Sequence, residues 1–299
     1  MKLINKKKTK MDYLTYCTTL KHYNDFEKAI MSFDNSKIEK TILYQALTEL
    51  LSAPNKPFQR TIRKNEFFYR ARAINDFTLF NPENGISKKD NKFIGLNSYQ
   101  SKEPPLGASH DGRNNICGAS YLYLSKDKYT ACVEICPNRG TLISLATFVA
   151  NKSLHVVDLA TNDIVPYIKH LAQENFFDAP RLITLVMEKY CEPKSNNSSY
   201  SFSQFVSDMF RKKGFDGIVY ASSYTRKQNL TLFNCDESFI KFKESNLVFC
   251  SSKMPCDIYD LSTYKRLTPK CHKLSKIELE NNAAEIEKTL KERVKQNGE

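Results

Sequence analysis

Between residues 202 and 223 the chain changes its hydrophobic period, and that change limits the folds open to it. Phe202, Phe205, Val206, Met209 and Phe210 recur at intervals of three and four, placing five apolar side chains on one helical face. "RKKGF" closes the helix, and "DGIVYASS" follows, with an apolar "IVY" that reads as a buried strand. A helix feeding directly into a buried strand belongs to a mixed α and β domain.

The rest of the middle of the chain repeats this mixture. "EFFYRARA" at 66–73 and "SYLYLS" read as strands, and "KYTACVEIC" reads as a helix with Asp127 as its cap and Pro137 and Gly140 as its stop. "TLISLATFVA" and "SLHVVDLA" follow as β-rich runs, expected to be neighbouring strands. Residues 163–191 are helix-prone, and "LTLFN" and "FIKFKESNLVFC" add further strands. A connection running through "NPENGISKKDNK" and "KEPPLGASHDGR" is too rich in Gly, Pro and Asn for regular structure. Two amphipathic runs between 12 and 53 predict helices, and the tail from about 274 is charged and helix-prone. The expected organisation is an N-terminal helical extension over 1–60, a mixed α+β domain over 61–250 and a polar, helical tail over 251–299.

Composition narrows the class. Lys and Arg number 45 against 33 Asp and Glu, a formal net charge of +12. Such an excess attracts acidic partners and phosphorylated ligands, and it also describes an ordinary solvated surface. No run reaches the roughly 18–20 apolar residues of a membrane helix, and no apolar segment follows the basic "MKLINKKKTK". A cytoplasmic protein without membrane contact is expected. The nine cysteines contain no CxxC pair and the five histidines are scattered, so no metal site is expected.

Four segments carry residue types that suit chemistry. In "FYRAR", alternation sends Arg70 and Arg72 to one strand face, where two guanidiniums require anions or a salt-bridged surface. In "GASHDGRNN", Arg113 follows Gly112 in a loop that either holds a phosphate or simply turns. In "YLYLSKDKYTACVEI", Tyr121 and Tyr123 share a strand face, and Glu134 sits among apolar neighbours on the following helix. Ser222 and Ser223 end a strand before a polar loop, without the GxSxG pattern of a hydrolase nucleophile. Singly, each segment has an ordinary structural explanation.

Their order is more specific. "YRaR", then "GR-N--G--YLYLs-D--TA--E", then "FDGIvY-SS", then "N--LF", between about residues 64 and 236, resembles the RES-domain family, named for an arginine, a glutamate and a serine. The resemblance implies an α+β fold with a split antiparallel β-sheet of ADP-ribosyltransferase-like type and helical N- and C-terminal flanks. It implies a toxin of a toxin–antitoxin or defence system that degrades NAD by phosphorolysis or hydrolysis. Arg70, Glu134 and Ser222 would be the family's catalytic residues. Arg70, Arg113, Tyr123 and Ser222 would bind NAD, with inorganic phosphate as co-substrate in the phosphorolytic case and an antitoxin protein occluding the cleft. Arg72 has no assigned counterpart. "DGRNN" departs from the family's usual "GGRW", and the chain has no tryptophan.

The implied chemistry suits these side chains. Cleavage of the nicotinamide–ribose bond develops positive charge on the ribose, which the Glu134 carboxylate would stabilise. Arg70 and Arg113 would grip the pyrophosphate, Tyr123 would stack on a flat ring, and Ser222 would position the ribose or nicotinamide. Two alternatives remain at this stage: ADP-ribosyl transfer to a macromolecule, and a non-enzymatic basic module for nucleic acid, for which no binding motif is visible.

Overall fold

The computed structural model describes residues 20–52, 58–74, 88–89, 92–105, 107, 109–138, 140–160, 179–191 and 200–250. The expected C-terminal tail, most of the 81–92 stretch of the expected connection and the 163–178 part of the expected helix lie outside the described residues.

Helix α1 runs over 20–31, followed by α2 (Asn35–Glu39) and α3 (Ile42–Ser52). Strands β1 (Gln59–Ile62) and β2 (Phe67–Ala73) come next. Within the expected loop lie two short strands, β3 (Lys88–Lys89) and β4 (Lys92–Phe93), and a one-turn helix, α4 (Ser98–Ser101). A capping box between Asn97 and Gln100 explains why α4 forms there. Then follow β5 (Leu122–Ser125), α5 (Lys128–Glu134), β6 (Leu142–Ala150), β7 (Leu154–Asp158), α6 (Ala179–Cys191), α7 (Ser201–Lys212), β8 (Gly217–Ala221), β9 (Gln228–Leu232) and β10 (Ile240–Phe249).

Eight strands form one sheet in the order β1-β7-β8-β9-β5-β2-β6-β10. All pairings are antiparallel as expected except β7 with β8, which are parallel. The sheet is split where β2 meets β5, because that register holds only Tyr69 opposite Ser125. One half is then β1-β7-β8-β9-β5 and the other is β2-β6-β10.

Strands β6 and β7 are not neighbours, contrary to the expectation from their proximity in sequence: β6 pairs with β2 and β10, while β7 pairs with β1 and β8. Only residues 151–153 join them, a link reaching at most about 14 Å. Five strand spacings would separate them in a flat sheet, about 24 Å. The sheet must therefore fold over at the split. Apolar side chains from both halves, among them Phe68, Phe148, Leu122, Leu154, Val156, Val219, Leu230 and Leu232, fill the space between.

The outer faces are covered by helices. On the five-stranded half, Tyr23, Phe26 and Ile30 of α1 and Leu43 and Leu47 of α3 join Tyr190 of α6, Phe202, Val206 and Phe210 of α7, and Ile218 and Tyr220 of β8 in one core. Full burial of a side chain such as Phe26 or Leu43 contributes about 1.5–3 kcal/mol. The N-terminal helices thus share a core with the sheet, and β1, paired with β7, spans the expected 60/61 boundary. On the three-stranded half, Ala131 and Cys132 of α5 pack on Ala71, Ile143 and Leu145. Asp127 caps α5 as expected, accepting from the Thr130 amide at 3.1 Å.

Candidate active site

The split places α5 beside the outer face of β5 and β9, and that junction collects most of the candidate residues. Leu122 and Leu124 of β5 point to the inner core, so Tyr123 and Ser125 face outward. On β9, Leu230 and Leu232 point inward and Asn229 and Thr231 outward. Glu134, the last residue of α5, reaches this face. The Asn229 side-chain amide donates to Glu134 Oε1 at 2.6 Å, and the Ser125 hydroxyl donates to Asn229 Oδ1 at 2.6 Å. A carboxylate gripped by a buried amide is held in one orientation.

The glycine–arginine loop forms the next wall. Gly112 is required there by close approach: a Cβ at this position would lie 2.6 Å from the Tyr123 hydroxyl. That hydroxyl accepts from the Asn114 amide at 3.0 Å and donates to Asn115 Oδ1 at 2.6 Å. The Asn115 amide group in turn donates to the carbonyls of His110, Ile116 and Ala119. Helix α7 clamps the loop from outside. Ser203 Oγ donates to the Arg113 carbonyl at 2.6 Å, and Gln204 donates to the carbonyls of Gly112 and Asn115.

Asn114 occupies the place of the family's tryptophan. It is 2% exposed, donates to Thr231 Oγ1, and accepts from the hydroxyls of Tyr190 and Ser207. The aromatic wall comes from elsewhere in the chain: the Arg113 guanidinium lies 5.9 Å from the ring centres of both Tyr200 and Tyr220, and donates to the Tyr190 carbonyl. Burial, reinforced by Tyr220, pushes the Tyr123 phenol far above its ordinary value, and burial does the same to Tyr190. Both stay neutral, which excludes them as bases and suits them to packing and hydrogen bonding.

Ser222 follows β8 on the same face as Tyr220 and is 1% exposed. Its oxygen accepts from the amides of Tyr224 and Thr225, both at 3.2 Å, so it shapes the turn into β9. Thr225 of that turn meets Thr130 of α5 at 2.9 Å between hydroxyls, tying the Ser222 turn to the Glu134 helix.

Arg70 is not brought to this face. Phe68, two residues earlier on β2, belongs to the inner core, while Ala71 packs under α5. Alternation therefore sends Arg70 and Arg72 inward, away from Glu134. Arg70 donates to the Ser101 carbonyl at 2.7 Å and to the Lys102 carbonyl, and Arg72 donates to the Gln100 carbonyl. Burial, and then neighbouring Arg72, lower the Arg70 pKa to about 10. A cavity of about 870 Å³ opens beside Arg72, Lys102 and Glu103, and neither Glu134, Tyr123 nor Arg113 lines it. In this structure strand parity puts Arg70 on the opposite face of β2 from the side packed by α5, so Arg70 and Glu134 do not share a face.

The structure thus brings together Arg113, Tyr123, Glu134 and Ser222, and adds Asn229, Ser125, Asn114 and Tyr190, which sequence reasoning left without roles. Asn229 was visible as the first residue of "N--LF". Tyr190 had no sequence signal, since its neighbours here are remote in the chain. Among the described residues no group of His, Cys, Asp and Glu could hold a metal ion, and no helix is long and apolar enough to cross a membrane.

The RES domain profile matches residues 96–249, more than half of the chain, and covers Arg113, Tyr123, Glu134, Ser222 and Asn229. The chain belongs to the RES-domain family. No curated protein matches the chain. Among solved structures it is similar to the M. tuberculosis MbcT–MbcA toxin–antitoxin complex, at 12% identity over 70% of this chain and 95% of that one, with a TM-score of 0.40.

Proposed function

We propose that this RES domain cleaves the nicotinamide–ribose bond of NAD, by phosphorolysis or hydrolysis, as the toxin of a toxin–antitoxin pair. The observation that carries the reading is the Glu134 carboxylate, hydrogen-bonded by Asn229 on the same sheet face as the Arg113 loop. As the glycosidic bond breaks, its electron pair goes to the nicotinamide nitrogen, which leaves neutral, and positive charge grows on the ribose. Glu134 stabilises that charge. An oxygen of water or inorganic phosphate then bonds to the ribose carbon and gives up its proton to solvent, leaving ADP-ribose or ADP-ribose-1″-phosphate. Arg113 binds the pyrophosphate, Tyr123 and Asn115 brace its loop, and Ser222 orders the turn facing Glu134. Arg70, assigned to the pyrophosphate by the family likeness, acts instead as a prop for the 100–102 segment. The antitoxin partner rests on the family likeness, and the +12 charge suits an acidic protein.

Purified protein incubated with NAD, with and without phosphate, tests the reading. Released nicotinamide that depends on phosphate marks phosphorolysis, and ADP-ribose without phosphate marks hydrolysis. NAD loss undiminished in Glu134→Gln refutes the role of Glu134. Label from adenine-labelled NAD appearing in protein or nucleic acid replaces the reading with ADP-ribosyl transfer.

A further inference from the structure

We infer that Ser125 is a positioning residue for Glu134, acting through the side-chain amide of Asn229; the inference rests on the proposed role of Glu134. Ser125 and Asn229 are directly opposite partners in the β5–β9 register, and both side chains are buried, at 3% and 2% exposure. Direct cross-strand partners have neighbouring Cβ atoms, so the register itself delivers the 2.6 Å contact between Ser125 Oγ and Asn229 Oδ1.

The direction of the chain of hydrogen bonds follows from its end. An ionised carboxylate only accepts, so the Asn229 NH₂ must face Glu134 and its Oδ1 must face Ser125. Ser125 must then donate. Donation onto Oδ1 polarises the amide and strengthens its N–H bond to Glu134. Without that hydroxyl, Asn229 Oδ1 loses its donor, and the carboxylate alone fixes which way the amide faces. Ser125 is also the sole residue of β5 in register with β2, opposite Tyr69, where the two sheet halves meet. The orientation of Glu134 is thereby referenced to the split itself.

The test uses the full chain, with Ser125→Ala and Ser125→Thr compared by NAD turnover and by the ¹⁵N–¹H signals of the Asn229 side-chain amide. Loss of an interaction felt mainly in the transition state lowers kcat and leaves KM nearly unchanged. The Ala variant is expected to lose about tenfold in kcat, equivalent to one weakened hydrogen bond. The Thr variant, which keeps the hydroxyl, should restore most of it. The Asn229 amide signals should shift in Ser125→Ala and in Glu134→Gln and stay near their original positions in Ser125→Thr. Unchanged amide signals in Ser125→Ala would overturn the inference, as would a KM effect without a kcat effect. If the unmodified protein releases no nicotinamide, the proposed reaction fails, and the amide signals still decide whether Ser125 orients Asn229. Should Ser125→Ala not fold, Ser125→Cys, whose thiol is a weak donor, replaces it: its Asn229 amide signals should shift, and unchanged signals would overturn the inference.

Discussion

Asn229 and Glu134 are separated by 95 positions in the chain and joined by one 2.6 Å hydrogen bond. The bond links a central strand of one sheet half to the end of the helix lying on the other. Hydrogen bonds to a charged group contribute about 1.5–3 kcal/mol. Asn229→Ala should therefore lower kcat for NAD by about tenfold to a hundredfold, with circular dichroism unchanged. Undiminished turnover in a folded variant would show that Glu134 needs no such support.

Arg113→Lys keeps the charge and loses the planar fork. The Arg113 guanidinium lies 5.9 Å from the ring centres of both Tyr200 and Tyr220 and donates to the Tyr190 carbonyl, a geometry that a flexible ammonium does not reproduce. The expected result is a KM for NAD raised by about tenfold, with kcat changed less. Initial-rate kinetics at fixed ionic strength measure both.

Arg70→Ala should act on stability and not on substrate affinity. The guanidinium satisfies the carbonyls of Ser101 and Lys102 from the inner side of β2. Its removal leaves part-buried acceptors without that donor, at up to about 1–3 kcal/mol each, so the urea midpoint should fall. KM for NAD in the folded protein should stay near that of the unmodified chain. A selective rise in KM would return Arg70 to the binding site.

Glu66 supplies a pH-dependent contribution near the β1–β2 connection. Burial raises its pKa, but hydrogen bonds from Lys126 and the Arg63 amide, with the charges of Lys126 and Arg60, outweigh that and hold it below its ordinary 4.5. A carboxylate with a lowered folded pKa stabilises the fold above its unfolded value, and the contribution is lost as pH falls through the folded value. Glu66→Gln should consequently be less stable than the unmodified protein at pH 7. The difference should vanish in acid, well below pH 4.5, as read from urea midpoints at both pH values.

Much of this protein was legible without coordinates. The spacing of Phe202, Val206, Met209 and Phe210 located α7 and its buried face, Asp127 marked the start of α5, and the strands over 67–73, 142–150, 154–158 and 217–221 lay where their β-rich runs lay. These features depend on neighbours within a turn or two, which is the range over which periodicity and capping act. The motif order also singled out Arg113, Tyr123, Glu134 and Ser222, which the structure gathers on one face.

Tertiary structure decided what depends on strand order and on which face each strand presents. Proximity in sequence suggested that β6 and β7 would pair, but they lie in opposite halves of a folded sheet. Arg70 shares a strand face with Arg72 as alternation required, yet only the placement of Phe68 in the inner core shows that this face looks away from Glu134. Tyr190 and Asn229 reach the site from remote segments. The sequence by itself determined local backbone state and the residue types available for chemistry. Long-range burial determined which of them meet, because apolar side chains from both halves must share one core and the polar groups are carried to whichever side that core leaves.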